Sequence, residues 1–300
     1  MNMNYLLDLL KGMVIGIANI VPGVSGGTMA VSLGIYDRMI SSISHLFKNW
    51  KVSLKTLLPI LIGAALGIVA FTYTIEFLLS NYTLPTALAF IGLILGGVPL
   101  LWTSFQAGLK FKGEKISLSH LIFFILMFAL VAVLPLFQGV DSSFNAIALT
   151  PYSLLKLFLI GIIASATMII PGISGSLVLM ILGYYYSIIN TITSFITALR
   201  TGDMEALLPN LIVLFVFGIG VLIGIFLISK MIEFLFKNYS SITYSGILGL
   251  VFASPVAILL NTNALNDLHT DHALSFSIIG IILMVVCFYG IYQLGKKEMK

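Results

Sequence analysis

Charge is what this chain has least of. Of its 300 residues only 9% are Asp, Glu, Lys or Arg, while 59% are hydrophobic. A water-soluble chain of this length needs far more polar surface, so composition excludes a soluble globular protein and points to one embedded in lipid. Cysteine is almost absent as well. The single Cys287 lies in the last apolar segment, has no internal partner, and reads as a small core residue. Strict polar–apolar alternation is missing from the runs of Leu, Ile, Val and Phe. That excludes a closed barrel and leaves helices, the other structure that satisfies its backbone in lipid. A secretory leader is not expected, because the first charged residue is Asp8 and no cleavage-like site follows the apolar run. The net charge is +4, but the lysines flank apolar runs, so they report orientation and not nucleic-acid binding.

Long apolar runs fill the space that charge leaves. Six of them, about residues 56–80, 84–105, 118–137, 207–229, 243–262 and 274–293, come near the roughly 20 residues a helix needs to cross a bilayer. Two more, about 5–44 and 154–196, are broken near their centres by a Pro-Gly pair. Each would divide into limbs of roughly 17 residues, a length that suits a re-entrant hairpin. The expected fold class is all-α: a polytopic integral membrane protein. With both hairpins re-entrant, every Lys and Arg except Lys156 and Arg200 falls on one side, read as cytoplasmic together with both termini. Full crossings would leave the same sides, so limb length is the argument for re-entrance.

The chain also repeats itself. Gly12 and Gly161, Pro22 and Pro171, Gly23 and Gly172, Ser25 and Ser174, Gly26 and Gly175, Gly34 and Gly183, and Tyr36 and Tyr185 are all 149 positions apart. Further on, Gly63 and Gly220, Gly67 and Gly224, Glu76 and Glu233, and Gly92 and Gly249 are 157 apart. Residues 1–137 are therefore expected to form one repeat and 154–300 a second, with 138–153 as an external linker. A hairpin plus three spans is an odd number of crossings. The second repeat should then be inverted, the plan of many secondary transporters.

The breaks read Pro22-Gly23-Val24-Ser25-Gly26-Gly27-Thr28 and Pro171-Gly172-Ile173-Ser174-Gly175-Ser176. Proline lacks an N–H and disfavours helix in the residue before it, so the first limb should stop there. Glycine permits the turn, and Ser25 or Ser174 can cap the returning helix. Small residues with bare amides at a helix start suit a phosphate or carboxylate. One such motif alone reads as a packing device, since small residues let membrane helices approach closely; two at matched positions favour a site. The candidate phosphate-binding residues are Gly23, Ser25, Gly26, Gly27, Thr28, Gly172, Ser174, Gly175 and Ser176, with Pro22 and Pro171 as the hairpin breaks. A nucleotide loop is excluded, since no Gly-Lys-Ser/Thr ending follows.

Asn19, Asp37, Arg38, Glu76 and Glu233 are candidates for cavity lining or ion coupling. Acids in spans can relay protons, and a hydrated place at the interface is the other reading of Glu76 and Glu233. Asp37 and Arg38 read as an exposed pair or as a phosphate clamp. Their counterparts in the second repeat are Tyr186 and Ser187. Asp267 to His272 reads as a solvated loop and not a metal site, and Tyr184 to Tyr186 as an interfacial belt. Nothing resembles a Ser-His-Asp or Cys-His arrangement, and no catalytic residue, metal or cofactor is expected.

Paired Pro-Gly-Val/Ile-Ser-Gly breaks in inverted repeats, and the segment from Ala18 to Thr28, resemble the bacterial polyprenyl-phosphate transporters from about Asp8 to Tyr292. The resemblance implies a flippase in the bacterial plasma membrane. It would return undecaprenyl phosphate, the carrier lipid of cell-wall synthesis, from the outer to the inner leaflet. The implied partners are that polyprenyl-phosphate lipid, the bilayer and, if transport is ion-coupled, H+ or Na+. It assigns no catalytic residues. Undecaprenyl-pyrophosphate phosphatases are similar too, with a Pro-Gly-x-Ser-Arg-Ser motif. Here Gly26 and Gly175 stand where that arginine would be, and Glu76 has Thr72 and Ser80, not acids, four positions away. Such a site binds phosphate without cleaving it. A phosphatase-like enzyme and a transporter of a small soluble anion remain the alternatives. The pattern leaves oligomeric state open.

Overall fold

A computed structural model describes residues 3–21, 23–137 and 147–298. Pro22 and most of the linker lie outside the described residues, as do the side chains of Ser176 and Leu177. The described residues form α-helices with short 3₁₀ turns and no strand. The first half contains α1 (Met3–Ile20), α2 (Gly26–Ser32), α3 (Tyr36–Ser44), α4 (Trp50–Asn81), α5 (Thr83–Gly96), α6 (Val98–Lys112) and α7 (Leu118–Val133). The second contains α8 (Pro151–Ile169), α9 (Gly175–Ile181), α10 (Tyr185–Thr201), α11 (Met204–Asn238), α12 (Ser240–Asn261) and α13 (Ala273–Glu298). Local chemistry sets many of the ends. Thr150 and Asp203 cap α8 and α11 by accepting from Ser153 N and Ala206 N, at 3.3 and 3.1 Å. Asp267, expected in a solvated loop, instead accepts from Leu84 N at 2.8 Å, in the first turn of α5.

Seven helices are long and apolar enough to cross a membrane, counting Thr83–Lys112 as one. Six match the expected spans. The seventh is the 19-residue α8, which the sequence pattern treats as a marginal limb of a hairpin. Limb length thus no longer argues for re-entrance there. The returning limbs also differ from expectation. Each is two pieces, α2 then α3 and α9 then α10, because Gly34 and Gly183 take left-handed φ of 71° and 75° and end the first piece after seven residues.

Glycines set how closely the helices pack. A Cβ on Gly12 would lie 2.2 Å from Ile60 O, and one on Gly63 2.0 Å from Leu9 O, so α1 and α4 touch backbone to backbone. Gly161, Gly220 and Gly224 do the same for α8 and α11. These pairs stay within a half. The later helices exchange partners: α5 packs on α13 through Gly92 and Gly96, and α12 packs on α7 through Gly246 and Gly249. By the sequence alignment α5 corresponds to α12 and α7 to α13, so the exchange is reciprocal.

The core gathers around the first break, α5 and α12. Ala18, Met29, Ala30, Ala87, Ile94, Val251 and Ile258 are all fully buried there. The outer helices α4, α7, α11 and α13 leave large apolar side chains such as Leu66, Leu126, Phe215 and Ile282 exposed. Leaving so much apolar surface exposed is tolerated only against lipid, so this is a multi-pass membrane protein.

Candidate functional site

Both breaks place their glycine in left-handed backbone. α1 ends at Ile20, Val21 donates to Ala18 O, and Gly23 follows with φ 83°. In the second copy Ile170 is extended, as a residue before proline must be, and Gly172 follows with φ 85°. Left-handed backbone is open to glycine without a Cβ penalty. Space demands glycine as well. A Cβ on Gly23 would meet Ala257 O at 2.8 Å, and one on Gly172 would meet Leu250 O at 2.9 Å. Both turns therefore rest on one face of α12, two helical turns apart.

The turns also touch each other. Gly172 N donates to Thr28 Oγ1 at 2.5 Å, and both groups are buried. The Tyr36 hydroxyl donates to Ile169 O, the carbonyl at the end of α8, at 3.0 Å. Gly27 packs so closely on the second break that a Cβ would lie 3.0 Å from Ile169 O.

A cavity of about 500 Å³ opens where they meet. Ser25, Gly26 and Gly27 line it from the first copy, and Ser174 and Gly175 from the second. Asn19, Tyr36, Thr167 and Tyr185 add polar groups, while Ile15, Ile60, Met168 and Phe217 are among its apolar walls. No acidic or basic side chain is among its described lining residues. Ser25 caps α2, its Oγ accepting from Gly27 N at 3.2 Å. Asn19 lies over Gly26: its side-chain oxygen would be 2.8 Å from a Cβ there. An anion in this cavity would meet small residues, hydroxyls and a carboxamide.

Other candidates fall elsewhere. Gly23, Thr28 and Gly172 lie behind the cavity, holding the turns on α12 and on each other. Pro171 is buried beside Gly27. Asp37 and Arg38 do not form the expected pair. Arg38 pairs with Asp8 of α1, and Asp37 accepts from the Tyr244 hydroxyl of α12. Glu233 accepts from Ser44 and lies 3.3 Å from His45, tying α11 to the end of α3. Its counterpart Glu76 is exposed. Sequence reasoning missed Thr167 and placed Tyr185 in an interfacial belt, whereas Tyr185 lines the cavity. The match of Tyr185 to Tyr36 was the available signal, since a belt residue has no reason to share a register with a buried one.

Fold and site together define a class: multi-pass helical membrane proteins whose central cavity is built from two copies of one helix break. A family model described as undecaprenyl phosphate translocase-like matches residues 15–276, and the chain belongs to that family. A polyprenyl-phosphate transporter of Staphylococcus aureus is 34% identical over 256 residues, covering 84% of this chain and 85% of the relative. One of Vibrio cholerae is 29% identical over 270 residues, covering 84% and 77%. No solved structure matches the chain.

Proposed function

We propose that this protein carries polyprenyl phosphate across the bacterial plasma membrane, from the outer to the inner leaflet, returning the carrier lipid for reuse. The phosphate sits in the cavity between the two breaks, and the prenyl tail stays in lipid beside the apolar wall. One observation carries this proposal: both copies of the motif line a single cavity that has polar groups but no charged side chain among its described lining residues. Ser25, Gly26, Gly27, Ser174 and Gly175 contact the headgroup, with Asn19 and Thr167 beside it. Thr28, Gly23 and Gly172 position the turns, and Ser176 belongs to the same set by sequence. That the S. aureus and V. cholerae relatives are polyprenyl-phosphate transporters supports the substrate class.

The two halves act as inverted repeats, with both termini cytoplasmic, and alternate access by rocking against each other. Return of an anion toward a negative interior is opposed by about 2.3 kcal/mol per charge per 100 mV. A co-transported H+ or Na+ offsets that cost.

Leaflet-resolved movement of labelled undecaprenyl phosphate in proteoliposomes tests this. Wild type is expected to move the lipid, and Gly26→Leu and Gly175→Leu to lose binding and movement, because their side chains fill the cavity. Normal transport by both variants would remove the cavity as the site. Release of inorganic phosphate from undecaprenyl pyrophosphate would point to a phosphatase. Exchange of a soluble anion with no lipid binding would point to a small-anion transporter.

A further inference from the structure

A second, smaller cavity of about 140 Å³ lies beside the first break, between the α2–α3 turn, α6 and α12. Gly34, Asp37, Ser104 and Tyr244 line it. The Tyr244 hydroxyl donates to Asp37 and also interacts with the Ser104 side chain. Three oxygen-bearing side chains therefore converge on one small space, one of them a carboxyl group. It lies next to the C-terminal end of α2 and the unwound Gly34 turn. The negative ends of short helices and unwound backbone at such breaks are where transporters coordinate H+ or Na+.

Several of the surrounding charges are engaged with groups other than Asp37; Lys237 follows Phe236, which packs on Tyr36 and Tyr244, and Lys11 lies on α1 with Asp8. Arg38, on the same helix, is turned to Asp8. On the helices packed against α3, Glu233 is held by Ser44 and His45, Lys230 lies over Phe226, Lys51 over Trp50, and Lys55 over Tyr5. On α6, Lys112 donates to Asn238 O. Tyr244 and Tyr36 are titratable neighbours of the carboxyl.

We infer that this pocket binds the monovalent cation that accompanies the lipid phosphate, as H+ on the Asp37 carboxyl or Na+ among the oxygens of Asp37, Ser104 and Tyr244. The inference rests on the transport function proposed above and gives its coupling step a place. Asp37 lies outside the seven spanning helices with one side open to the surroundings; the pocket walls on its other side push its pKa up while the Tyr244 bond pulls the other way. A carboxyl so placed gains from neutralisation by either cation. The link to the phosphate cavity is short. Asp37 follows Tyr36, which lines the larger cavity and bonds to Ile169 O at the second break. Tyr244 belongs to α12, on which both turns rest. Filling the pocket joins α3 to α12, and emptying it frees the first turn of α3. The second half has no equivalent, because Tyr186 stands where Asp37 would be.

Proteoliposomes with the membrane potential clamped at zero separate the two cations. A Na+ gradient is imposed in one arm and a pH gradient in the other, and lipid movement is compared with and without each gradient. One gradient is expected to accelerate wild type several-fold, naming the cation, and Asp37→Asn should show no response to it. Tyr244→Phe keeps the carboxyl but loses its donor, so its half-maximal cation concentration should shift by roughly tenfold, the equivalent of one hydrogen bond to a charged group. A wild type that moves lipid but ignores both gradients overturns the cation site and leaves the transport function standing. So does an Asp37→Asn variant that responds as wild type does.

Labelling of wild type with dicyclohexylcarbodiimide gives a readout independent of transport and of the variants' folding. Modification at Asp37, suppressed by Na+ or by raised pH, is expected. No modification there, or modification indifferent to both, overturns the site even if lipid transport holds. If wild type moves no lipid, the transport function fails, and the labelling alone judges the pocket.

Discussion

Thr28 and Gly172 are 144 positions apart, yet one hydrogen bond between them joins the two breaks. Thr28 is fully buried, so its side chain is committed to this bond and faces the neighbouring turn, not the cavity. Thr28→Val keeps the shape and removes the acceptor, leaving the Gly172 N–H buried and unpaired. Such a group costs about 1–3 kcal/mol. Thermal unfolding in detergent should show that loss for Thr28→Val and little change for Thr28→Ser. A valine variant as stable as wild type would mean that packing alone holds the turns together. Tyr36→Phe removes the bond to Ile169 O and should cost less, about 0.5–1.5 kcal/mol in the same assay. Thr28 was visible in the sequence as a hydroxyl beside a helix start, which is the description of a ligand-binding residue. Only the position of the second turn shows that its partner is the protein itself.

At the level of elements, α12 is the spine of the site. It is the most buried of the spanning helices, and small residues such as Ser245, Gly249, Ala253 and Ala257 run along it. Gly23 and Gly172 both seat against its carbonyls. Gly23→Ala would combine a left-handed φ, costing about 1–2 kcal/mol, with a backbone clash. Gly175→Ala has ordinary helical backbone and meets only Thr167 Oγ1, at 3.0 Å. The first variant should unfold at a clearly lower temperature than the second; equal melting would show that α12 yields to the turn.

Six spans were legible because apolar length is a local property of the chain. So were the breaks, through proline, glycine and the repeat. The division of each returning limb at Gly34 and Gly183 was also written there as a matched pair, but a glycine within an apolar run signals close packing as readily as a turn. The exchange of α5 and α12 between halves left no local trace. A helix shows in its own residues that one face is small, and not whose backbone will meet it.

In the molecule as a whole, equivalent elements are not in equivalent places. α3 lies against the long helix of the other half, through Tyr36 on Phe236, Phe47 on Phe226, and Ser44 and His45 on Glu233. Its counterpart α10 packs on α11 of its own half and, among the described residues, makes no comparable interface with α4. On the inverted-repeat plan proposed above, halves that differ in this way stand in one of two conformations, and exchanging the halves gives the other. If the termini are cytoplasmic, as proposed above, the α3–α11 contact closes the inner side and this conformation is open outward. In the exchanged one, α10 closes on α4. Thr193, the counterpart of Ser44, then approaches Glu76, the counterpart of Glu233. Cysteine pairs test both ends of the cycle. Ser44→Cys with Glu233→Cys should cross-link readily in the resting protein and stop lipid movement until reduced. Thr193→Cys with Glu76→Cys should cross-link slowly in the resting protein and faster during turnover, because that pair meets only in the other conformation. Cross-linking of the second pair at the same rate with and without turnover would mean that the asymmetry is fixed, and that transport does not proceed by exchange of the two halves.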